Sequence, residues 1–206
     1  MKKNIYLFTA FFYLLLPPLC ALASDGALQV YADSYRYEKM ADYNDAVKAI
    51  IPLYKKEPGN YFLNLRLGWL YYLKGKYGDS IACYRRAVEI NPQSIEALLG
   101  QSLPLMAQHN WGEAGRLMNH VIKKDYYNFY ANLRLAIALR LQNKAFLAEK
   151  IDRRMLQLYP ASLDFMSELG RALKWQGKNK EARQVFINIL RLDPQNVMAR
   201  DTLKIK

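Results

Sequence analysis

The chain has 206 residues, 52% of them hydrophobic and 23% charged, with a formal net charge of +12 at pH 7. That composition supplies enough apolar surface for a globular or repeat domain and excludes a chain that stays disordered. The basic excess calls for anionic partners or a solvated basic surface, and the compartment decides between them.

The chain opens with Lys2 and Lys3, then the apolar run IYLFTAFFYLLLPPLCALA, then Ser24-Asp25-Gly26. A basic start, an apolar middle broken by Pro17 and Pro18, and Ala21-Leu22-Ala23 before Ser24 read as a secretory signal over residues 1–23, cut after Ala23. Left uncut, the run is about long enough for an inner-membrane anchor, and its basic start would still place the remainder outside the cytoplasm. Leu19 stands before Cys20 where a lipoprotein signal carries a small residue, which argues against acylation there. The remaining domain, 24–206, is therefore expected in the periplasm or secreted. In that setting anionic lipid, anionic glycan or an acidic protein is the natural counterpart of a basic surface, and nucleic acid is not. One thiol remains, Cys83, which forms neither an internal disulfide nor a cysteine metal site. It lies in the apolar stretch SIACYRRAVEI and reads as a buried small hydrophobe. His109 and His120 fit no metal-ligand spacing, and there is no phosphate-binding glycine loop and no GxSxG elbow. No catalytic residue, metal or cofactor is assigned, and the chain is expected not to be an enzyme.

From residue 27 the sequence repeats every 34 positions. Asn60, Ser94, Asn128, Ser162 and Asn196 recur as helix-starting residues, each two places after the column Pro58, Pro92, Tyr126, Pro160, Pro194. Two further columns hold only small residues: Ser34, Gly68, Ser102, Ala136, Gly170, and Ala46, Ser80, Ala114, Ala148, Ala182. The units are 27–60, 61–94, 95–128, 129–162 and 163–196, followed by a capping helix in VMARDTLKIK, 197–206. Each unit holds two apolar-periodic stretches, such as YFLNLRLGWLYYLKG (61–75) and GDSIACYRRAVEI (78–90). Their connection is too short for anything but an antiparallel helix pair. Small residues suit the crossing of such a pair. One pair cannot bury both its faces, so the units stack into an all-α solenoid.

On these residues the array resembles the tetratricopeptide repeat family. The second unit carries Leu67-Gly68, Tyr71, Gly75, Tyr77, Tyr84, Ala87 and Pro92; the fifth carries Leu169-Gly170, Leu173, Gly177, Ala182, Phe186 and Pro194. The resemblance covers nearly all of the chain after residue 23 and implies a right-handed superhelix of five helix-turn-helix units. Departures are Asp33, Pro52, Pro104, Tyr126 and Asp152. An interior proline costs about 3 kcal/mol or bends its helix, so bending is expected near Pro104. Asp152 stands where an aromatic usually packs, so the second helix of the fourth unit is expected to sit loosely or leave that position wet.

The resemblance places partner binding on a concave face lined by the first helix of each unit. At the family's lining positions, the candidate groove comprises Tyr31, Tyr35, Phe62, Leu65, Trp69, Tyr72, Leu99, Leu103, Met106, Tyr130, Leu133 and Ile137. Glu38 and Glu96 also fall at lining positions, and the fifth unit is charged, with Asp164, Arg171 and Lys174 beside Trp175. The string NLRL at 64–67 and again at 132–135 adds Arg66 and Arg134 at equivalent places. A guanidinium pairs bidentately with a carboxylate, so the expected ligand is a peptide with apolar anchors and an acidic residue. The alternative is that both arginines bond between repeats. The family's lysine–asparagine clamp for a terminal carboxylate is absent. The expected function is a periplasmic adaptor that binds a protein or peptide partner and assembles a cell-envelope complex. The alternatives are a module handling glycan or exopolysaccharide and a membrane-anchored structural subunit.

Overall fold

Five side chains set the starts of successive helices. Asn60, Ser94, Asn128, Ser162 and Asn196 each accept a hydrogen bond from a backbone N–H in the turn that follows. Each such cap is worth about 1 kcal/mol. The three asparagines also donate backward, to the carboxylates of Glu57, Asp125 and Asp193, so one side chain ties the turn to the helix.

The computed structural model describes residues 19–205, with side chains from residue 26. The described residues form eleven α-helices and no strand. The pairs are α1 Leu19–Lys39 with α2 Tyr43–Lys56, α3 Tyr61–Leu73 with α4 Tyr77–Ile90, and α5 Ile95–Ala107 with α6 Trp111–Lys124. They continue as α7 Phe129–Leu141 with α8 Ala145–Leu158 and α9 Leu163–Trp175 with α10 Asn179–Leu192, and α11, Val197–Leu203, ends the array. Each helix packs on the next in chain order, and α3 on α5 and α7 on α9 also touch, as in a solenoid. Most of the expected leader, residues 1–18, lies outside the described residues, and α1 runs across the expected cut between Ala23 and Ser24. Among the described residues no helix is long and apolar enough to cross a membrane.

Within each pair the chain reverses at a residue with positive φ: Ala41, Gly75, His109, Asn143 and Gly177. Glycine adopts that left-handed backbone freely, whereas Ala41 and His109 hold it at a cost of about 1 kcal/mol each. The α2 and α5 helices continue unbroken through Pro52 and Pro104.

The small columns lie at the helix crossings and are buried. The Ser80 hydroxyl donates to the Gly68 carbonyl at 2.7 Å, bonding α4 to α3. The Tyr84 ring of α4 lies between two glycines. A Cβ at Gly68 would stand 2.9 Å from it, and a Cβ at Gly100 only 2.2 Å. The ring cannot retreat from one helix without striking the other. Gly100→Ala is therefore expected to destabilise the fold by about 2 kcal/mol, read as a lower urea midpoint; an unchanged midpoint contradicts this packing. Phe186 stands against Gly170 in the same way, 2.7 Å from where a Cβ would be.

Two expectations are corrected. Asp152 is neither loose nor wet: it is fully buried inside α8. The acidic replacement keeps the core position in α8, which packs between α7 and α9. Cys83 is half-buried rather than fully buried, packed on the core between α2 and α3, and burial pushes its thiol up to about 11.

Candidate protein-binding groove

Helices α1, α3 and α5 present successive faces to one open cavity of about 630 Å³. α1 contributes Tyr31, Tyr35 and Glu38, and α3 contributes Phe62, Leu65, Arg66 and Trp69. α5 contributes Glu96, Gly100 and Leu103, and Tyr84 reaches the cavity from α4 beside Gly100. Seven residues read from the sequence thus meet: Tyr31, Tyr35, Phe62, Leu65, Arg66, Trp69 and Leu103. Phe62 is 68% exposed and Tyr35 51%, large values for rings with apolar neighbours.

The other candidates separate from them. Leu133 and Ile137 line a second cavity of about 390 Å³ with Arg171 of α9 and Met198 of α11. Tyr72, Leu99, Met106, Tyr130 and Arg134 stand outside both cavities. Tyr72 is held by its neighbours, its ring 5.7 Å from Trp69 and 6.0 Å from Tyr77. Tyr130 is exposed, with its ring against Phe129. At the far end of the array, Arg171, Lys174 and Trp175 border a third cavity of about 460 Å³ with Phe186 and Met198.

The recurrence of NLRL has a structural cause. Arg66 Nε and Nη2 donate to Ser34 Oγ at 3.1 and 3.0 Å, Nη1 pairs with Glu38, and the guanidinium stacks 3.7 Å over the Tyr35 ring. Trp69 Nε1 donates to the other Glu38 oxygen at 2.7 Å. Two units on, Arg134 Nη1 donates to the Leu99 carbonyl at 2.6 Å and to Ser102 Oγ at 2.9 Å. That carbonyl adjoins Gly100, whose own helical donor is lost at Pro104. The asparagines of the two strings also act alike: Asn64 donates to the carbonyls of Pro58 and Asn60, and Asn132 to those of Tyr126 and Asn128. Each arginine follows a unit whose small column carries serine, Ser34 or Ser102, because serine offers the acceptor that glycine or alanine lacks. The expectation that these arginines face an acidic ligand is thereby corrected. Arg66 keeps only 5% of its side chain exposed and has its charge answered by Glu38, while Arg134 binds the preceding unit.

Glu38 and Glu96, which the sequence placed at lining positions, do line the groove, and Tyr84 and Gly100 join them without a sequence signal. The pairing of Glu38 has a parallel further along the chain. Glu38 precedes Arg66 by the same interval by which Arg140 precedes Glu168, and both pairs form, with the signs exchanged. Glu96 is exposed and makes no side-chain hydrogen bond or ion pair among the described residues. Among the described residues no group of three or more His, Cys, Asp or Glu is placed to hold a metal.

Comparison with known proteins agrees with this architecture. Residues 64–94 match the tetratricopeptide repeat family. A tetratricopeptide repeat protein from Parabacteroides merdae superposes with a TM-score of 0.78 at 16% identity, over 86% of this chain and 71% of that one. A MamA structure from Desulfovibrio magneticus RS-1, covering that protein from residue 41 to its end, superposes with a TM-score of 0.76 at 14% identity, over 84% of this chain and 98% of that one. The Homo sapiens protein O-mannosyl-transferase TMTC1 is 27% identical over 138 residues, which are 65% of this chain and 16% of that protein. The chain therefore spans about a sixth of the length of that curated relative. The described chain is an all-helical solenoid of the tetratricopeptide type, with a tetratricopeptide repeat matched at residues 64–94.

Proposed function

We propose that this protein is a non-enzymatic scaffold that takes a segment of a protein partner into the groove of α1, α3 and α5. We place it outside the cytoplasm, in the assembly of a cell-envelope complex. The observation that carries the binding reading is the open cavity of about 630 Å³ with Phe62 and Tyr35 exposed on its walls. Apolar rings cost free energy in water, and covering them is the usual use of such a patch. The solenoid fold supports the reading, because stacked helix pairs present one long face that neighbouring helices do not cover. The basic start and apolar run of residues 1–23 support the compartment.

Photo-crosslinking in intact cells tests both parts. A benzophenone side chain at Phe62 is expected to yield a discrete polypeptide adduct in the envelope fraction. That adduct is expected to fall at least fivefold when Trp69→Ala is added, and to be absent with the probe at Arg85, an exposed residue of the second helix α4. Equal adducts from both positions, or none at Phe62, would remove the groove; a cytoplasmic adduct would remove the compartment.

A further inference from the structure

We propose that the groove receives a basic residue of its partner: a lysine or arginine side chain, flanked by apolar anchors, that pairs with Glu96. The inference rests on the groove reading above and gives its ligand a charge, opposite to the one expected from the arginine string.

The charges on the cavity walls decide it. The chain as a whole carries +12, yet this cavity is lined by two carboxylates and one guanidinium. Arg66 is spent: its donors go to Glu38 and Ser34, its face lies on Tyr35, and 5% of its side chain is exposed. Glu38 is spent on the same pair and on Trp69. Glu96 is left as the charge that can respond to a ligand, exposed at the start of α5 on the same cavity. Among the described lining residues an acidic ligand would meet the unpaired Glu96 and no unpaired cation. A basic one would meet Glu96 in a cavity that Phe62 and Trp69 also line, and aromatic faces attract cations. The cavity is open and spans three helices, and Phe62 and Tyr35 remain to cover apolar groups beside the cation. A polypeptide supplies that combination, with the long stem of lysine or arginine adding apolar contact of its own.

End-blocked nonapeptide libraries test it. Three are made with Leu, Phe, Ala and Ser mixed at the flanking positions and with arginine, norleucine or glutamate fixed at the centre. Each is passed over the immobilised protein. The arginine library is expected to be retained about fivefold more than norleucine, and glutamate less than either, with the arginine advantage shrinking as salt rises. Glu96→Gln, a change on an exposed side chain, is expected to bring arginine down to the norleucine level without changing norleucine, whereas Phe62→Ala lowers all three. An arginine advantage that survives Glu96→Gln, or a glutamate library held as well as the arginine one, overturns the charge assignment. If that glutamate retention is lost with Phe62→Ala, the groove itself stands. Retention of no library by the unaltered protein, or retention that ignores Phe62→Ala, overturns the groove reading as well.

Discussion

Replacing Arg140 with methionine is expected to lower the unfolding free energy by about 3–5 kcal/mol at pH 7, the usual loss when one member of a buried ion pair is removed. Arg140 Nε donates to Glu168 Oε1 at 2.5 Å and Nη2 to Oε2 at 3.2 Å, a two-point grip between α7 and α9. The side chains are 9% and 2% exposed, so water screens them little. Without the guanidinium, Glu168 is a buried carboxylate close to Asp152, another buried acid, and keeps only the half-exposed Arg171, whose Nη1 stands 4.0 Å from its Oε2. The pair itself is not expected to be strongly stabilising. A buried pair recovers in attraction roughly what it costs in desolvation, so Arg140→Met with Glu168→Leu should return to within about 1 kcal/mol of the unaltered protein. Urea unfolding of the two single variants and the double gives the coupling directly. A loss under about 1 kcal/mol in Arg140→Met alone would show that the grip is not held in solution.

The sequence made the fold legible because a solenoid writes its packing once per unit. Asn60 and its counterparts cap helices, and Gly68 and Ser80 meet at a crossing, as their columns implied. The aromatic character of the groove was legible for the same reason: Tyr35, Phe62 and Trp69 stand at positions whose exposure the period determines. The charge of the groove was not. Arg66 is neutralised by Glu38, a residue of the preceding unit, and a column read down the units does not reveal a bond across them. The core hides a similar coupling. The second-helix core position reads Ile50, Tyr84, Met118, Asp152, Phe186. Tyr84 fits because the facing residue of the next unit is Gly100. In the fourth unit the facing residue is Glu168, and the aromatic is replaced by the shorter Asp152. The short side chain at 152 is therefore matched in size, though not in charge, one unit away, in a place where a single column gives no sign of it.

Asp152→Leu is expected to stabilise the protein, and by more as the pH rises. Asp152 is fully buried, and neither carboxyl oxygen has a hydrogen-bond partner among the described residues. Burial pushes its carboxyl up to about 9, the nearby Glu168 and Glu149 push the same way, and Arg140 opposes them. The arginine makes no hydrogen bond to Asp152, its Nε and Nη2 being turned to Glu168. A folded-state value above the unfolded value of 3.8 fixes the sign. Below that value both states hold the proton and the group costs nothing electrostatically. Between 3.8 and about 9 the unfolded chain releases the proton and the folded chain keeps it, so stability falls as pH rises, by up to about 1.4 kcal/mol per pH unit. Glu149 does not mimic this slope. Its burial would raise it, but hydrogen bonds from Lys178, Arg153 and Gln176 outweigh burial and hold it at about 2, so its contribution is lost only in acid. Leucine is close to aspartate in reach and leaves the Arg140–Glu168 grip in place. The gain should be modest at pH 5 and larger by up to about 4 kcal/mol at pH 8, three pH units at about 1.4 kcal/mol each. Urea unfolding of both proteins at pH 5, 6.5 and 8 reads the difference as a function of pH. A gain that stays constant across that range would mean that Asp152 is ionised in the folded protein, and that α8 opens to water where the structure closes it.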